Sequence, residues 1–213
     1  MLVKDVMTAN VVTITSDTSL ADAKRIMEAH KFQRLPVVDK GKLKGVVTEK
    51  RLEKVSPSEA TSLTVWEVGY LLEKTPVSKI MAKNVVTVTP EMTVEEGLAL
   101  AQTNKVGALV VIEAGKVIGI VTTNDFFYKI ANKVLGIGEP GTRIFILRGG
   151  EGPELEKILG HFNKHEMKIV TIHVLSPPDQ EKHDVVVHVT SKDVKALLKD
   201  LRADGFKVAT RSR

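Results

Sequence analysis

Thr122 and Asp125 stand three residues apart, where the apolar run Gly119-Ile120-Val121-Thr122 gives way to Thr123-Asn124-Asp125-Phe126. A hydroxyl and a carboxylate at that spacing share one side of a first helical turn, because residues three apart are neighbours on a helix. A helix start offers unpaired N–H groups and partial positive charge, which suit phosphate, and a carboxylate there accepts hydrogen bonds from a sugar diol. The plainer alternative is a helix-start aspartate favoured by the helix dipole.

Composition narrows the classes open to the chain. Its 213 residues favour two compact units over one. Lys and Arg number 31 against 26 Asp and Glu, for a net charge of +5, and the charges are interspersed. That pattern describes a solvated surface and argues against a nucleic-acid partner, which needs a clustered basic face. The absence of cysteine excludes disulfides, thiolate zinc sites and a thiol nucleophile. Met1-Leu2-Val3-Lys4-Asp5 does not open a signal sequence, and no apolar run approaches the roughly 18 residues of a membrane span. The expectation is a soluble, cytoplasmic protein without membrane insertion.

The elements that position Thr122 and Asp125 recur in the sequence. At an ungapped offset of 74, Met7 falls on Met81, Val11-Val12-Thr13 on Val85-Val86-Thr87, Gly41-Lys42 on Gly115-Lys116, and Gly45-Val46-Val47-Thr48 on Gly119-Ile120-Val121-Thr122. Two copies are too few for a solenoid, so they are read as a pair packed face to face. Each copy reads β-α-β-β-α. A buried strand at 11–14 is followed by a helix opened by Ser19 and Asp22, or by Thr93 and Glu96 in the second copy. Leu20, Ala23, Ile26 and Met27 recur at helical spacing. Strands at 34–38 and 108–112, glycine turns at Gly41 and Gly115, a strand ending at Thr48 or Thr122 and a second helix complete the unit.

Met7, Leu35-Pro36-Val37-Val38-Asp39 and the glycine-apolar-apolar-threonine strand endings resemble a pair of CBS domains. The resemblance implies a regulatory module that binds an adenosyl ligand such as AMP, ADP, ATP or S-adenosylmethionine between its copies, with the closing Thr-x-x-Asp on the ribose. Thr122 and Asp125 match that motif, whereas the first copy has Thr48-Glu49-Lys50-Arg51. A guanidinium is a donor only and cannot receive ribose hydrogen bonds, so one competent and one degenerate site are expected. Gln33-Arg34 and Lys50-Arg51 are similar to the basic copies of the γ subunit of AMP-activated kinase, which makes Arg34 and Lys50 the phosphate candidates. Gln33, Val86 and Thr87 complete the implied ligand set; no catalytic cofactor or metal is implied. A solvated surface charge is the ordinary alternative for Arg34 and Lys50.

The domain boundaries read from the sequence are 1–55 and 77–135 for the copies, 56–76 and 136–141 for linkers, and 142–213 for a C-terminal domain. Ser56-Pro57-Ser58 breaks the chain, and Thr64 with Glu67 opens a short helix. Trp66 and Tyr70 on that helix are read as packed on their own module, with a dimer contact as the alternative. After Asp125 a helix carrying Phe126, Phe127, Ile130, Ala131 and Val134 should run to Gly136. Gly136-Ile137-Gly138-Glu139-Pro140-Gly141 has dinucleotide-fingerprint spacing but follows a helix and precedes a strand, so it reads as a linker.

The remainder reads β-α-β-β-α-β, the ferredoxin-like order. It resembles an ACT domain, which implies a homodimer and an amino-acid site at the turn after the first strand; the family's Pro-Gly-x-Leu stands here as Gly152-Pro153-Glu154-Leu155, with its first two residues exchanged. Five of the six histidines lie in this region, and they are read as surface or interface residues in preference to metal ligands. The whole order resembles the acetoin-utilisation B type of regulatory protein. The implied function is a non-catalytic sensor that transmits nucleotide occupancy to a dimer or to a regulated enzyme or transporter. No nucleophile with its base, metal-ligand spacing or P-loop supports an enzyme. A scaffold or nucleic-acid adaptor with vestigial sites and an amino-acid sensor are the alternatives.

Overall fold

The computed structural model describes residues 1–55, 64–178 and 181–212; the expected break at Ser56-Pro57-Ser58 lies outside them. The chain divides into two compact units, Met1–Lys129 and Ile130–Arg213.

In the first unit each copy opens with a short leader. The first leader is helix α1 (Val3–Val6) and strand β1 (Thr8–Ala9); the second holds a 3-10 turn at Val77–Lys79. Helix α2 (Leu20–His30) starts where Ser19 Oγ accepts from the Asp22 N–H, and it buries Leu20, Ala23 and Met27. Strands β2 (Arg34–Asp39) and β3 (Lys42–Thr48) pair antiparallel, and helix α3 (Glu49–Val55) follows. Lys40 and Gly41 both have positive φ, as do Ala114 and Gly115, which is what a tight two-residue hairpin turn requires. Helix α4 (Val65–Lys74) carries the Thr64–Glu67 capping box. The second copy then repeats the order with β4 (Thr87–Val88), α5 (Val94–Thr103), β5 (Ala108–Glu113) and β6 (Lys116–Thr122).

The copies are joined by exchange of their leaders. Val3 N–H donates to Met92 O and Lys4 N–H to Pro90 O, while their counterparts at the offset of 74, Val77 and Ser78, donate to Thr18 O and Ser16 O. β1 pairs with β6, and Ala82 pairs with Val46 of β3. Val77 is fully buried in the core built on Leu20, Leu35 and Val47, with Ile80 and Met81 against it. Val3 is fully buried too, and each of the two valines contributes about 1.5–3 kcal/mol by its burial.

Two expectations about the copies need correction. Residues 11–14 form a single bridge, Ile14 with Val37, in place of a strand, and only the second copy keeps a strand there. The helix after Asp125 is also interrupted: α6 (Thr123–Asp125) passes into a π-helix (Phe126–Ala131) before α7 (Asn132–Leu135). Phe126 is buried, while Phe127 and Val134 are exposed.

Helix α4 is half as expected. Leu72 packs on the first copy's core, but Trp66 is 88% exposed and Tyr70 62%, with Lys74 Nζ 5.9 Å from the Tyr70 ring.

The second unit runs β7 (Thr142–Leu147), α8 (Gly152–Lys164), β8 (Ile169–Leu175), β9 (Asp184–Val189), α9 (Lys195–Ala203), β10 (Lys207–Ser212), with sheet order β10-β7-β9-β8. Ile144, Ile146, Val185 and Val187 pack with Ile158 and Phe162 of α8 and Leu197 and Leu201 of α9. His188 corrects the reading of these histidines as surface groups. It sits on an interior strand, opposite Arg143 and Thr171, is fully buried, and has the Gly136 backbone against its ring.

Gly45→Ala tests the leader exchange. A Cβ at Gly45 would lie 2.6 Å from the backbone oxygen of Ala82, which cannot rotate away. Urea unfolding should show a loss of about 1–3 kcal/mol. Gly69→Ala, with nothing within 4 Å of the added carbon, should leave stability unchanged or raise it.

Candidate functional site

The exchanged leaders open a cavity of about 650 Å³ between the two copies, within the range of small-molecule sites. The first copy lines it with Gln33, Arg34, Val46, Thr48, Glu49, Lys50 and Glu53, the second with Ala82, Val85, Val86, Lys105, Val106, Gly107 and Val110 among others. The lining combines Val46, Val85, Val86, Val106 and Val110 with the cations Arg34, Lys50 and Lys105 and the carboxylates Glu49 and Glu53. Arg34 reaches across the copy boundary: a Cβ on Gly107 would lie 2.9 Å from its Nη2, so the guanidinium rests where only glycine leaves room.

Of the ligand candidates read from the sequence, Gln33, Arg34, Lys50 and Val86 therefore come together, at the end of the first copy's own Thr48–Arg51 motif. Thr122, Asp125 and Thr87 are not in the lining of that cavity. The reason is the crossing. Pairing of Ala82 with Val46 carries the second leader, with Val85 and Val86 just behind it, onto the first copy's hairpin.

Asp125 lies buried as the third and last residue of α6. Its Oδ2 accepts from the Thr122 N–H (2.8 Å) and the Thr122 hydroxyl (2.9 Å). Its Oδ1 faces Lys129 Nζ at 2.7 Å and the Thr8 hydroxyl at 3.5 Å. Burial by itself pushes the carboxyl up, but the hydrogen bonds from Lys129 and Thr122, with the Lys129 charge, outweigh it and hold the group below its ordinary value. In the first copy Arg51 takes the equivalent place, with its N–H on Thr48 Oγ1 and its guanidinium donating to Ile80 O at 2.8 Å.

Three participants escaped the sequence reading. Lys129 stands four residues after Asp125, ordinary spacing for helical neighbours, but its reach to Val6 O joins residues 123 apart in sequence. Lys105, with φ of 52°, sits in a loop whose direction no periodicity reports. Thr8 reaches Asp125 across 117 residues of sequence.

The second unit has its own cavity, of about 480 Å³, lined by Arg148, Lys157 and Lys207 with Glu154 and Asp204. Of its histidines, His161 bonds Asp204 at 2.8 Å and His165 bonds Asp200 at 2.9 Å. Lys164, and after it His165, hold the Asp200 carboxyl down at about 2. Among the described residues no group of three or more His, Asp or Glu is arranged to hold a metal, and no helix is long and apolar enough to cross a membrane.

Two hairpin repeats with crossed leaders and a cleft between them define a tandem-repeat module, and comparison with known sequences gives it a family. The CBS domain matches residues 3–57 and 77–132, just over half the chain, and the chain belongs to the CBS-domain family. A CBS domain-containing protein of Dictyostelium discoideum is 35% identical over 127 residues, 59% of this chain and 88% of that protein. One from Bacillus subtilis is 27% identical over 123 residues, 58% of this chain and 81% of its own length. Inosine-5'-monophosphate dehydrogenase of Korarchaeum cryptofilum is 35% identical over 121 residues, but they make up only 22% of that enzyme. Among solved structures, an acetoin utilization protein (AcuB) from Vibrio cholerae superposes with a TM-score of 0.52 at 31% identity, over 62% of this chain and 91% of that one. The CBS domain pair of protein MJ0100, in complex with 5'-methylthioadenosine and S-adenosyl-L-methionine, gives 0.51 at 26% identity, over 62% and 98%.

The Asp125 carboxylate yields a pH signature. Its folded value lies below the ordinary 3.8, so its contribution is complete above that value and disappears as pH falls through the folded one. Asp125→Asn should cost about 1–3 kcal/mol at pH 7 in chemical denaturation, and the difference from wild type should close only below about pH 4.

Proposed function

We propose that this protein is a non-catalytic regulator that binds an adenosyl ligand between its CBS copies and passes occupancy to a partner or to a second copy of itself. The observation that carries the reading is the cleft itself: one cavity, built from both copies, lined by valines together with Arg34, Lys50 and Lys105. A purine fits between valines, and phosphates suit charge-assisted donors from arginine and lysine. The complex of a related CBS pair with 5'-methylthioadenosine and S-adenosyl-L-methionine supports the ligand class. Because the cleft draws on both copies, a ligand in it favours whichever arrangement of the copies it binds better, and its differential affinity bounds the signal. Cytoplasmic action on a partner enzyme or transporter belongs to the same proposal.

The β-α-β-β-α-β order of the second unit supports a ferredoxin-like, ACT-like domain as the dimerising element, with domain limits near residues 136–141. One observation favours a second reading, an amino-acid sensor. The cavity beside Arg148 offers cations and carboxylates together, as a zwitterion needs.

Thermal and chemical unfolding across a panel of AMP, ATP, S-adenosylmethionine and amino acids separates these readings. An adenosyl ligand at 100 times its Kd should add about 2.7 kcal/mol of stability. Arg34→Ala and Lys50→Ala should each weaken AMP roughly 10-fold or more, with little effect on adenosine. A flat response to every adenosyl compound would sink the proposal, and a response to amino acids alone, lost in Arg148→Ala, would replace it.

A further inference from the structure

Helix α4 (Val65–Lys74) is an addition to the repeat plan. At the offset of 74 its residues fall on 139–148, beyond the second CBS match, which ends at 132. Its inner side is accounted for: Leu72 packs on the first copy's core, and Gly69 and Glu73 line a groove with Lys24 and Arg25 of α2. Its outer side has no cover among the described residues. Trp66, the only tryptophan in the chain, is exposed there with Tyr70 and Leu71, and with Glu67 they line a shallow cavity of about 380 Å³. Residues 66, 67, 70, 71 and 74 share one helix face by their spacing. Three large apolar side chains in so short a stretch make a patch, whereas one alone would need no explanation.

The charges at the two ends of this face select its occupant. Glu67 stands toward the N-terminal end and Lys74 at the C-terminal end, about 10 Å apart along the axis at 1.5 Å per residue. The Thr64 N–H and hydroxyl both donate to Glu67 Oε2, which fixes the carboxylate and leaves Oε1 without a partner among the described residues. Lys74 Nζ lies 5.9 Å from the Tyr70 ring, beside the apolar patch. A second α4 laid antiparallel across the face brings each Glu67 to a Lys74 of the other chain; a parallel one in register opposes like charges at both ends. The two-fold axis then passes between Tyr70 and Leu71, so that each tyrosine meets a leucine. The face is thus complementary to itself, as a two-fold contact requires.

We propose that α4 is a self-association helix: its Trp66, Tyr70 and Leu71 face pairs antiparallel with the same face of a second copy of the chain, closed at both ends by Glu67–Lys74 ion pairs. A helix of 10 residues is about 15 Å long and cannot cover the roughly 800 Å² per partner of a standard interface. The contact is therefore weak and reversible. It draws on the first unit alone, so it stands apart from the ACT-like unit as a dimerising element and from the adenosyl reading. Two chains already joined elsewhere would meet through it at high effective concentration.

Tryptophan emission tests this on the full chain, because Trp66 reports this face alone. At about 100 μM, above the Kd of a weak contact, emission should lie to the blue of an exposed indole, and sedimentation velocity should show associated chains wherever it does. Lys74→Glu and Glu67→Lys each set like charges against one another at both ends, and each should weaken the association about 10-fold or more and return emission to that of an exposed indole. The two single variants refolded together should recover the blue emission, since opposite charges then meet at both ends. So should the double variant Glu67→Lys/Lys74→Glu, which separates loss of the pairing from loss of the Glu67 cap. Emission of an exposed indole at every concentration overturns the proposal and gives the face to a different protein. Blue emission that Lys74→Glu leaves in place, or a mixture and a double variant that do not recover it, overturns it as well.

Discussion

Two glycines stand where the leader of one copy crosses the hairpin of the other. A Cβ at Gly45 would meet the Ala82 carbonyl and the Met81 side chain, and one at Gly119 would meet Met7 and the Thr8 carbonyl. Because those positions carry no side chain, each leader lies flat on the opposite β-hairpin, seating Val3 and Val77 in full burial. Neither copy is complete alone. The core of the first includes Val77, Ile80 and Met81, and the second takes β1 as a strand of its sheet. The cleft between them follows from that exchange, since its walls come from both copies.

Onto this near-symmetric frame the sequence writes an asymmetry. Arg34, which lies on Gly107 across the boundary, has Ala108 as its counterpart, and Arg51 has Asp125. The copies thus share a backbone plan and differ in charge at these paired positions. Symmetric packing needs the apolar and glycine positions to agree; ligand recognition leaves the polar ones free to differ. Arg34 and Lys50 of the first copy and Lys105 of the second line the cavity, while the second copy's acid is occupied by a lysine four residues on.

Much of this was legible in the chain. Matching Met7 with Met81 and Gly45 with Gly119 identified the repeat, and Ser19, Thr64 and Thr93 mark helix starts that the structure places at those residues. What remained hidden depends on distant partners. Nothing local to Met7 says that it packs on Gly119, and without the crossing Val86 and Lys50 were grouped with Thr122 and Asp125, although the cavity gathers only the first two of these. The π turn was equally hidden, because one extra residue per turn leaves composition unchanged. His188 shows the same limit: nothing local to it reports that its ring lies against Gly136, more than 50 residues away.

The central claim is that a ligand cleft arises from two copies that complete one another, and a crystal structure of the chain grown with AMP tests it most directly. The nucleotide should lie in the 650 Å³ cavity, touching Val86 or Val106 of the second copy and Arg34 or Lys50 of the first in the same site. AMP held by residues of one copy alone, or bound away from this cleft, would contradict the account.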